Sequence, residues 1–517
     1  MNDSRSPAAV ADGPAPVPPQ GGFPVVLTAD RTLLADYPIL FDGMVAGSQT
    51  TRTPGLLMRW LVAPRARSEN CRAVRAPLGL RRVEAALTAG GWGRGSVAVV
   101  PPERVADAVG PATKIVGVSC GDPLGLGMNS STMTAITGGR IYASRWFQAL
   151  IGRIRRLRRR LPGLRIVVGG PGAWQLAGDD EARRRLGVDH VVLGYCEGNV
   201  AGIFSAIAED GRGAPVAYGE EPACAELPRV LAPTVMGSVE ISRGCGLGCR
   251  FCTIARRPIG HLPEETILAD ARTNVHGGAP ALSLITEDLF RYGSPDGRPR
   301  PERVIGLLEK LRDVAGDRLI QTDHANISSV AQFDDGQLAR VRELMGSPGD
   351  YIWLNLGVET ASGRLLAANG GAPKMRPFSQ QEWGDACAEQ VRRLCRAGFF
   401  PLVSLVVALP GEAPEDVAAT IRWAEGLADQ RLSIFPVLYA PIGEAAASGA
   451  PRMTRAHWRL VRICYRMNFR WVPTLVWSNQ RRAGVPLWRR SAAQALGRMQ
   501  VLWWSALFRW RGWRAPR

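Results

Sequence analysis

A chain of 517 residues, 46% of them hydrophobic, is too long for one ordinary domain and apolar enough to bury more than one core. The net charge is +18, but fifteen Arg and no Asp, Glu or Lys fall in residues 451–517, so the rest of the chain is close to neutral. That distribution excludes a uniformly basic nucleic-acid-binding surface. Only Lys114, Lys310 and Lys374 are lysines, an Arg bias that a GC-rich genome explains.

Ten Cys are spread along the chain and only three cluster, which fits free thiols in a reducing cytoplasm better than a disulfide framework. Residues 1–22 read as a disordered Pro/Ala/Gly leader. No apolar run is long enough to span a membrane.

In chain order, residues 23–207 hold an α/β region, whose first part, 23–70, has no clear pattern. From residue 71 onward, short apolar runs alternate with amphipathic stretches. Strands are predicted at 96–100, 114–119, 165–168 and 190–193, and helices at 80–89 and 145–161. This is the pattern of an open parallel sheet, which binds ligands at the carboxyl ends of its strands. The turns there are 119–131, 169–174 and 193–199. Residues 208–235 read as a linker.

A second α/β repeat occupies 236–450, with strands predicted at 238–242, 281–285, 318–322, 351–357, 400–408 and 432–438. Six such units predict a partial (β/α)6 barrel with catalytic groups at the carboxyl ends. Residues 451–517 are helical in pattern and hold eight of the fifteen Trp.

The sharpest motif is VEISRGCGLGCRFCTIARRP, which places Cys245, Cys249 and Cys252 just after the first barrel strand. Thiolates are the preferred ligands of iron–sulfur clusters, and three of them leave one iron of a four-iron cluster open for chemistry. Zinc completed by His261 is the competing reading. A purely electron-transferring cluster would need a fourth Cys, and the next is Cys387.

C-x3-C-x-aromatic-C after the first strand of a six-strand partial barrel resembles the radical S-adenosylmethionine (SAM) superfamily. The resemblance covers about residues 236–445. It implies a [4Fe–4S] cluster on Cys245, Cys249 and Cys252, with SAM chelating the open iron and Phe251 near its adenine. ITEDLF stands where the family has Gly-Gly-Glu, which implies SAM contacts from Thr286 and Glu287. LGVETAS is similar to the family's fourth-strand ending and puts Glu359 near the SAM ribose; a helix-start acid is the equal alternative there. SLVVALPGEAPED is similar to the GLPGET segment, with Ala408 in place of Gly, and FPVLYAPIG (435–443) resembles the sixth-strand ending.

The preceding α/β region resembles the cobalamin-binding branch of that superfamily. RAPLGLRRVEAAL, GGPGAW and VVLGYCEGN carry the likeness, and imply cobalamin contacts from Pro77, Gly79, Ser119, Gly169, Gly170, Gly194 and Glu197. No Asp-x-His-x-x-Gly is present to supply a lower His ligand to cobalt. The expected fold is therefore α/β: a Rossmann-like (flavodoxin-like) cobalamin-binding domain, then a radical SAM barrel, then a helical tail.

The resemblance implies a cobalamin-dependent methyltransferase, passing methyl to an unactivated carbon, or to phosphinate phosphorus, of a small-molecule, natural-product or lipid substrate. It also implies an external one-electron reductant such as flavodoxin or ferredoxin. Ring closure, rearrangement or oxidation without methyl transfer is one alternative, and a non-catalytic cobalamin or redox sensor another. An RNA methylthiotransferase would carry three further cluster Cys in the N-terminal domain, and no such set is seen. Cytoplasmic location is expected, with no nucleic-acid partner. The Trp/Arg tail leaves peripheral membrane contact open beside simple packing. For His324, a satisfied core or loop histidine is the expected reading. The isolated Cys read as buried thiols, Cys120 and Cys196 excepted because they lie at cofactor-facing turns.

Overall fold

The computed structural model describes residues 19–210, 213–441 and 452–516. Most of the leader, residues 1–18, and the end of the FPVLYAPIG segment lie outside the described residues.

The first sheet is wholly parallel, as runs of Val and Ile buried on both faces dictate. Its strands are β1 (Val25–Ala29), β2 (Val97–Val99), β3 (Ile115–Ser119), β4 (Arg165–Gly169), β5 (His190–Leu193) and β6 (Val216–Tyr218), in the order β2-β1-β3-β4-β5-β6. The unplaced 23–70 stretch thus supplies a central strand, β1, every residue of which is buried. The segment read as a linker is partly in this sheet too, because the helix Val200–Asp210 runs into it and β6 follows. Single-sequence patterning missed β6 because three edge residues, two half-buried and one exposed, carry no alternation.

Three helices of this region matter below: α1 (Leu40–Gly47), α2 (Leu78–Leu87) and α3 (Met128–Thr137). The predicted second helix of the region forms as α4 (Tyr142–Arg158) and covers the sheet with Phe147, Leu150, Ile151 and Ile154.

The second unit is a parallel partial barrel. Its strands follow chain order: β7 (Ser238–Glu240), β8 (Ala281–Ile285), β9 (Leu319–Thr322), β10 (His324–Ala325), β11 (Ile352–Glu359), β12 (Phe399–Val407) and β13 (Ser433–Leu438). β9 and β10 are one strand position broken at Asp323, so six positions result.

Residues in register across parallel strands project to the same face. Gly357, Ser404 and Phe435 are in register across β11, β12 and β13, and so are His324 and Asn355 across β10 and β11. These smaller and polar residues face the lumen. The alternate set, Leu356, Val403 and Ile434, is buried with the outer apolar core.

β13 is an edge strand, and its free backbone groups are covered by side chains. The Asn468 amide donates to the Ile434 carbonyl at 2.7 Å and accepts from its N–H at 2.8 Å. The Leu438 N–H donates to Thr132 Oγ1 on α3 at 2.7 Å. An open edge so capped cannot recruit another strand. Asn468 belongs to α5 (Arg455–Arg482), which pairs with α6 (Leu487–Arg514) as a hairpin packed on β13. The outer side of α6 is apolar and exposed: Leu502 is 74% and Trp513 75% accessible. No helix among the described residues is long and apolar enough to cross a membrane.

Candidate active site at the carboxyl end of the barrel

The Cys motif is the loop of a two-residue antiparallel hairpin, Ser242–Arg243 against Gly260–His261. Gly244, Gly246 and Gly248 all take positive φ, between 74° and 76°, and a Cβ on Gly244 would lie 2.1 Å from the Pro258 carbonyl oxygen. Only glycine allows the chain to double back this tightly. The Cys245 N–H donates to the Arg257 carbonyl and the Gly248 N–H to that of Ala255, both at 2.9 Å, which holds Cys245, Cys249 and Cys252 on one compact loop.

Burial raises all three thiols, Cys249 to about 11, while the Lys374 ammonium pulls each of them down. Backbone N–H groups of Leu247, Ile254 and Ala255 also reach the sulfurs of Cys245 and Cys252 and favour the thiolate. Buried thiols served by N–H donors and a cation suit a metal-bound thiolate, since coordination removes the proton outright.

Among the described residues no three His, Cys, Asp or Glu are close enough to hold a single metal ion. A four-iron cube takes one thiolate on each of three irons, so its sulfurs stand further apart than around one zinc. His261 Nε2 lies 3.1 Å from the Ser294 carbonyl oxygen, and its Nδ1 is buried with no partner among the described residues. Three thiols on one loop suit the cluster, and among the described residues His261 does not stand with them around a single ion.

Four ionisable side chains stand near the loop. Glu359 ends β11 with φ of 65° and is ion-paired with Lys374. A Cβ on Gly357 would meet Glu359 Oε1 and the Lys374 ammonium, so the absence of a side chain at 357 makes room for the pair in the lumen. Glu359 is not a helix-start acid, because the next helix begins at Gly363 with Ser362 as its cap. Glu287 has no hydrogen-bond or ion-pair partner among the described residues, and burial raises its carboxyl.

His324 departs from the expected satisfied core position. It faces the lumen with a 42% exposed side chain, 3.5 Å from Asp323. Burial lowers its imidazole, but the Asp323, Glu287 and Glu359 carboxylates outweigh that and bring it to about 9.

Other expected residues have different work. Thr286 Oγ1 is 2.6 Å from Ser242 Oγ and also accepts from the Asp288 N–H, so it ties β8 to the hairpin. Asp288 accepts from Phe290 and Asn326 N–H groups and from Ser329 and is a structural pin. Phe251 is buried in the barrel core beside Cys249. Ala408 has φ of 60°, the left-handed conformation that explains why the resembling segment carries Gly. Its N–H donates to Glu412, which His457 also contacts at 2.6 Å.

Sequence reasoning missed Lys374. The signal was available: it is one of three lysines among sixty-four basic residues.

In the first domain, the turn after β5 reaches the barrel. Arg243 donates to Glu197 at 2.6 Å and to Glu240 at 2.6 Å, and its guanidinium lies 4.1 Å from the Tyr195 ring centroid. Glu197, expected to contact cobalamin, is thus held in a buried interdomain ion pair. Gly170 serves turn packing: a Cβ there would meet Ser119 Oγ at 2.7 Å. Gly169 is half-buried and Gly194 exposed at strand ends, Pro77 caps α2, and Gly79 opens on free space. Cys196 is raised to about 12 by burial, and Cys120 is buried and raised as well.

Residues 239–424 match the family described as the radical SAM superfamily, and the chain carries a radical SAM domain there. A domain of that kind uses a [4Fe–4S] cluster and SAM.

Among particular proteins, the chain is 26% identical over 265 residues to the ribosomal protein uS12 methylthiotransferase RimO of Citrifermentans bemidjiense, covering 49% of this chain and 55% of that protein. It is 30% identical over 217 residues to RimO of Anaeromyxobacter sp. strain Fw109-5, covering 41% and 42%. The chain thus spans about half the length of these curated relatives. Its fold is similar to that of the radical SAM methyltransferase TsrM from Kitasatospora setae, solved with cobalamin and a [4Fe–4S] cluster. The TM-score is 0.53 at 17% identity, covering 81% of this chain and 77% of that one. A second TsrM structure, with tryptophan substrate and a SAM analogue, gives 0.52 at 16% identity, covering 81% and 75%.

Proposed function

We propose that this protein is a cobalamin-dependent radical SAM methyltransferase acting on a small, largely apolar molecule. The observation that carries the reading is the Arg243–Glu197 contact, which brings the carboxyl end of the first sheet against the cluster hairpin. Brought to this chain, the likeness to TsrM across both domains supports the same two-cofactor arrangement.

When bound, the cluster and SAM would supply a radical that removes a substrate hydrogen, and cobalamin would supply the methyl group. Cys245, Cys249 and Cys252 would hold the cluster. Glu287, free of partners among the described residues, would accept from the SAM ammonium, and Glu359 would reach the ribose while Lys374 fixes its direction. His324 remains protonated at neutral pH, and its charge offsets part of the rise that burial imposes on the Glu287 carboxyl. For cobalamin, the turns 119–131, 169–174 and 193–199 would offer backbone at the strand ends. Ser119, Gly169 and Gly194 lie there, Gly170 keeps the turns close together, and Pro77 and Gly79 stand at the start of α2.

A methylthiotransferase reading, which the RimO relatives favour, meets a specific obstacle. Cys71 and Cys120 lie in one apolar core of the first domain and Cys196 packs against another, so these thiols form no second cluster set.

The test is anaerobic reconstitution of the full chain with iron, sulfide and hydroxocobalamin, then incubation with methyl-labelled SAM and a strong reductant. Stoichiometric corrinoid retention and 5′-deoxyadenosine formation are expected. A protein that retains no corrinoid, or makes no 5′-deoxyadenosine, ends this reading.

A further inference from the structure

A cavity of about 320 Å³ lies on the open flank of the barrel, between α1, α3, β13 and the α5–α6 hairpin. That volume is at the lower end of ordinary small-ligand pockets. Phe435 and Val437 of β13 form one wall. Phe435 is in register with Ser404 and, through it, with Gly357, above which Glu359 and Lys374 meet. Two strand spacings, about 10 Å, therefore separate the cavity wall from the catalytic carboxylate along one continuous lumen face.

The opposite wall is aromatic. Tyr465, Phe469 and Trp504 line it; the Tyr465 and Trp504 rings are 5.8 Å apart, edge to face, and Phe435 lies 6.4 Å from Tyr465. Pro473 in α5 also lines the cavity. Lacking an N–H, it breaks the helical hydrogen-bond ladder there and leaves space that a regular helix would close.

Two charged groups stand on the lining, Asp42 and Arg489, and only the first is left with a buried, unpartnered atom. Asp42 lines the cavity, is 7% exposed, and accepts from Gln480 Nε2 at 2.9 Å through Oδ1. Its Oδ2 has no hydrogen-bond partner among the described residues. Arg489, also on the lining, donates to the Leu61 carbonyl at 3.3 Å and forms no ion pair with Asp42. A buried carboxylate oxygen left without a donor is costly unless something supplies one. Aromatic faces around it favour an organic cation.

We propose that this cavity is the binding site for the substrate and that the substrate is an elongated apolar amine. Its ammonium binds Asp42 Oδ2. Its apolar body lies along Phe435 and the aromatic wall, and the carbon to be attacked projects along the lumen toward Glu359. This assignment rests on the methyltransferase reading for its chemistry, but binding at Asp42 needs neither cluster nor corrinoid.

Calorimetric titration of the full chain with n-octylamine, n-octanol and octanoate separates the contributions. Octylamine should bind at least tenfold tighter than octanol, and octanoate weakest. Asp42→Asn should remove the amine preference while leaving octanol binding. Gly497→Leu is an independent variant: Gly497 lines the cavity, and a Cβ there meets nothing within 4 Å, so leucine fills the space without a clash. It should abolish binding of all three probes while circular dichroism and melting stay as in the wild type. Equal binding of amine and alcohol, preference for octanoate, or undiminished binding by Gly497→Leu overturns the assignment. Failure to make 5′-deoxyadenosine, with amine binding intact, would instead count against the radical chemistry alone.

Discussion

Replacing Asp42 with Asn should stabilise the protein, and the size of the gain follows from its surroundings. Burial raises the Asp42 carboxyl from 3.8 to about 6, with the Gln480 hydrogen bond and Arg489 offsetting only part. A carboxyl raised in the folded state favours the protonated native form. No stability is lost below pH 3.8; it falls as pH rises through about 6 and levels off above. At 1.36 kcal/mol per unit, the shift amounts to about 3 kcal/mol, an order-of-magnitude figure for a group this buried. Asn keeps the carbonyl that accepts from Gln480 and carries no charge. The variant should therefore resist local opening of α1 more strongly than the wild type by up to about 3 kcal/mol at pH 7.5, with the difference vanishing below pH 4. Hydrogen exchange of residues 40–47, followed by mass spectrometry at both pH values, reads this opening directly. A wild type equally protected at pH 7.5 would mean that the charge is already compensated inside the fold, and the case for an unmet donor at Asp42 would fall.

Cys249→Ser should reduce bound iron after anaerobic reconstitution and bring 5′-deoxyadenosine formation to background; full iron content with activity would exclude the hairpin as the cluster site. Lys374→Met removes one partner of the buried Glu359–Lys374 pair, which costs about 3–5 kcal/mol. A lower melting temperature and weaker iron retention are expected, and unchanged values for both would remove Lys374 from the site. His324 is raised from 6.5 to about 9, so its stabilising contribution is complete below pH 6.5 and lost as pH rises to about 9. The melting temperature of His324→Gln should fall less over that interval than the wild type's, and parallel curves would refute the lumen ion cluster. The exposed Trp510 and Trp513 of α6, amid arginines with no acidic neighbour in the tail, should bind anionic vesicles and ignore neutral ones. Sedimentation with vesicles that is unchanged in a Trp510→Ala/Trp513→Ala variant would assign the face to solvent.

Local chemistry was legible in the sequence. Strand periodicity located β3, β4, β5 and the barrel strands because buried parallel strands are nearly continuous apolar runs. Three thiols on a glycine-punctuated loop marked the proposed cluster site because that geometry is made within sixteen residues, from Ser242 to Arg257. β1 and β6 were not legible, since a short strand acquires its role from neighbours far along the chain. The same reason hid Lys374 beside Glu359, turned Glu197 toward Arg243, and gave His324 a carboxylate environment. Asp42, 438 residues from the Gln480 that bonds it, meets that partner only when the helical tail folds back over the first domain. Sequence alone determined which ligands could hold a metal, because they are neighbours on the chain. Tertiary structure alone decided which charges face one another, because burial and long-range pairing set their energies.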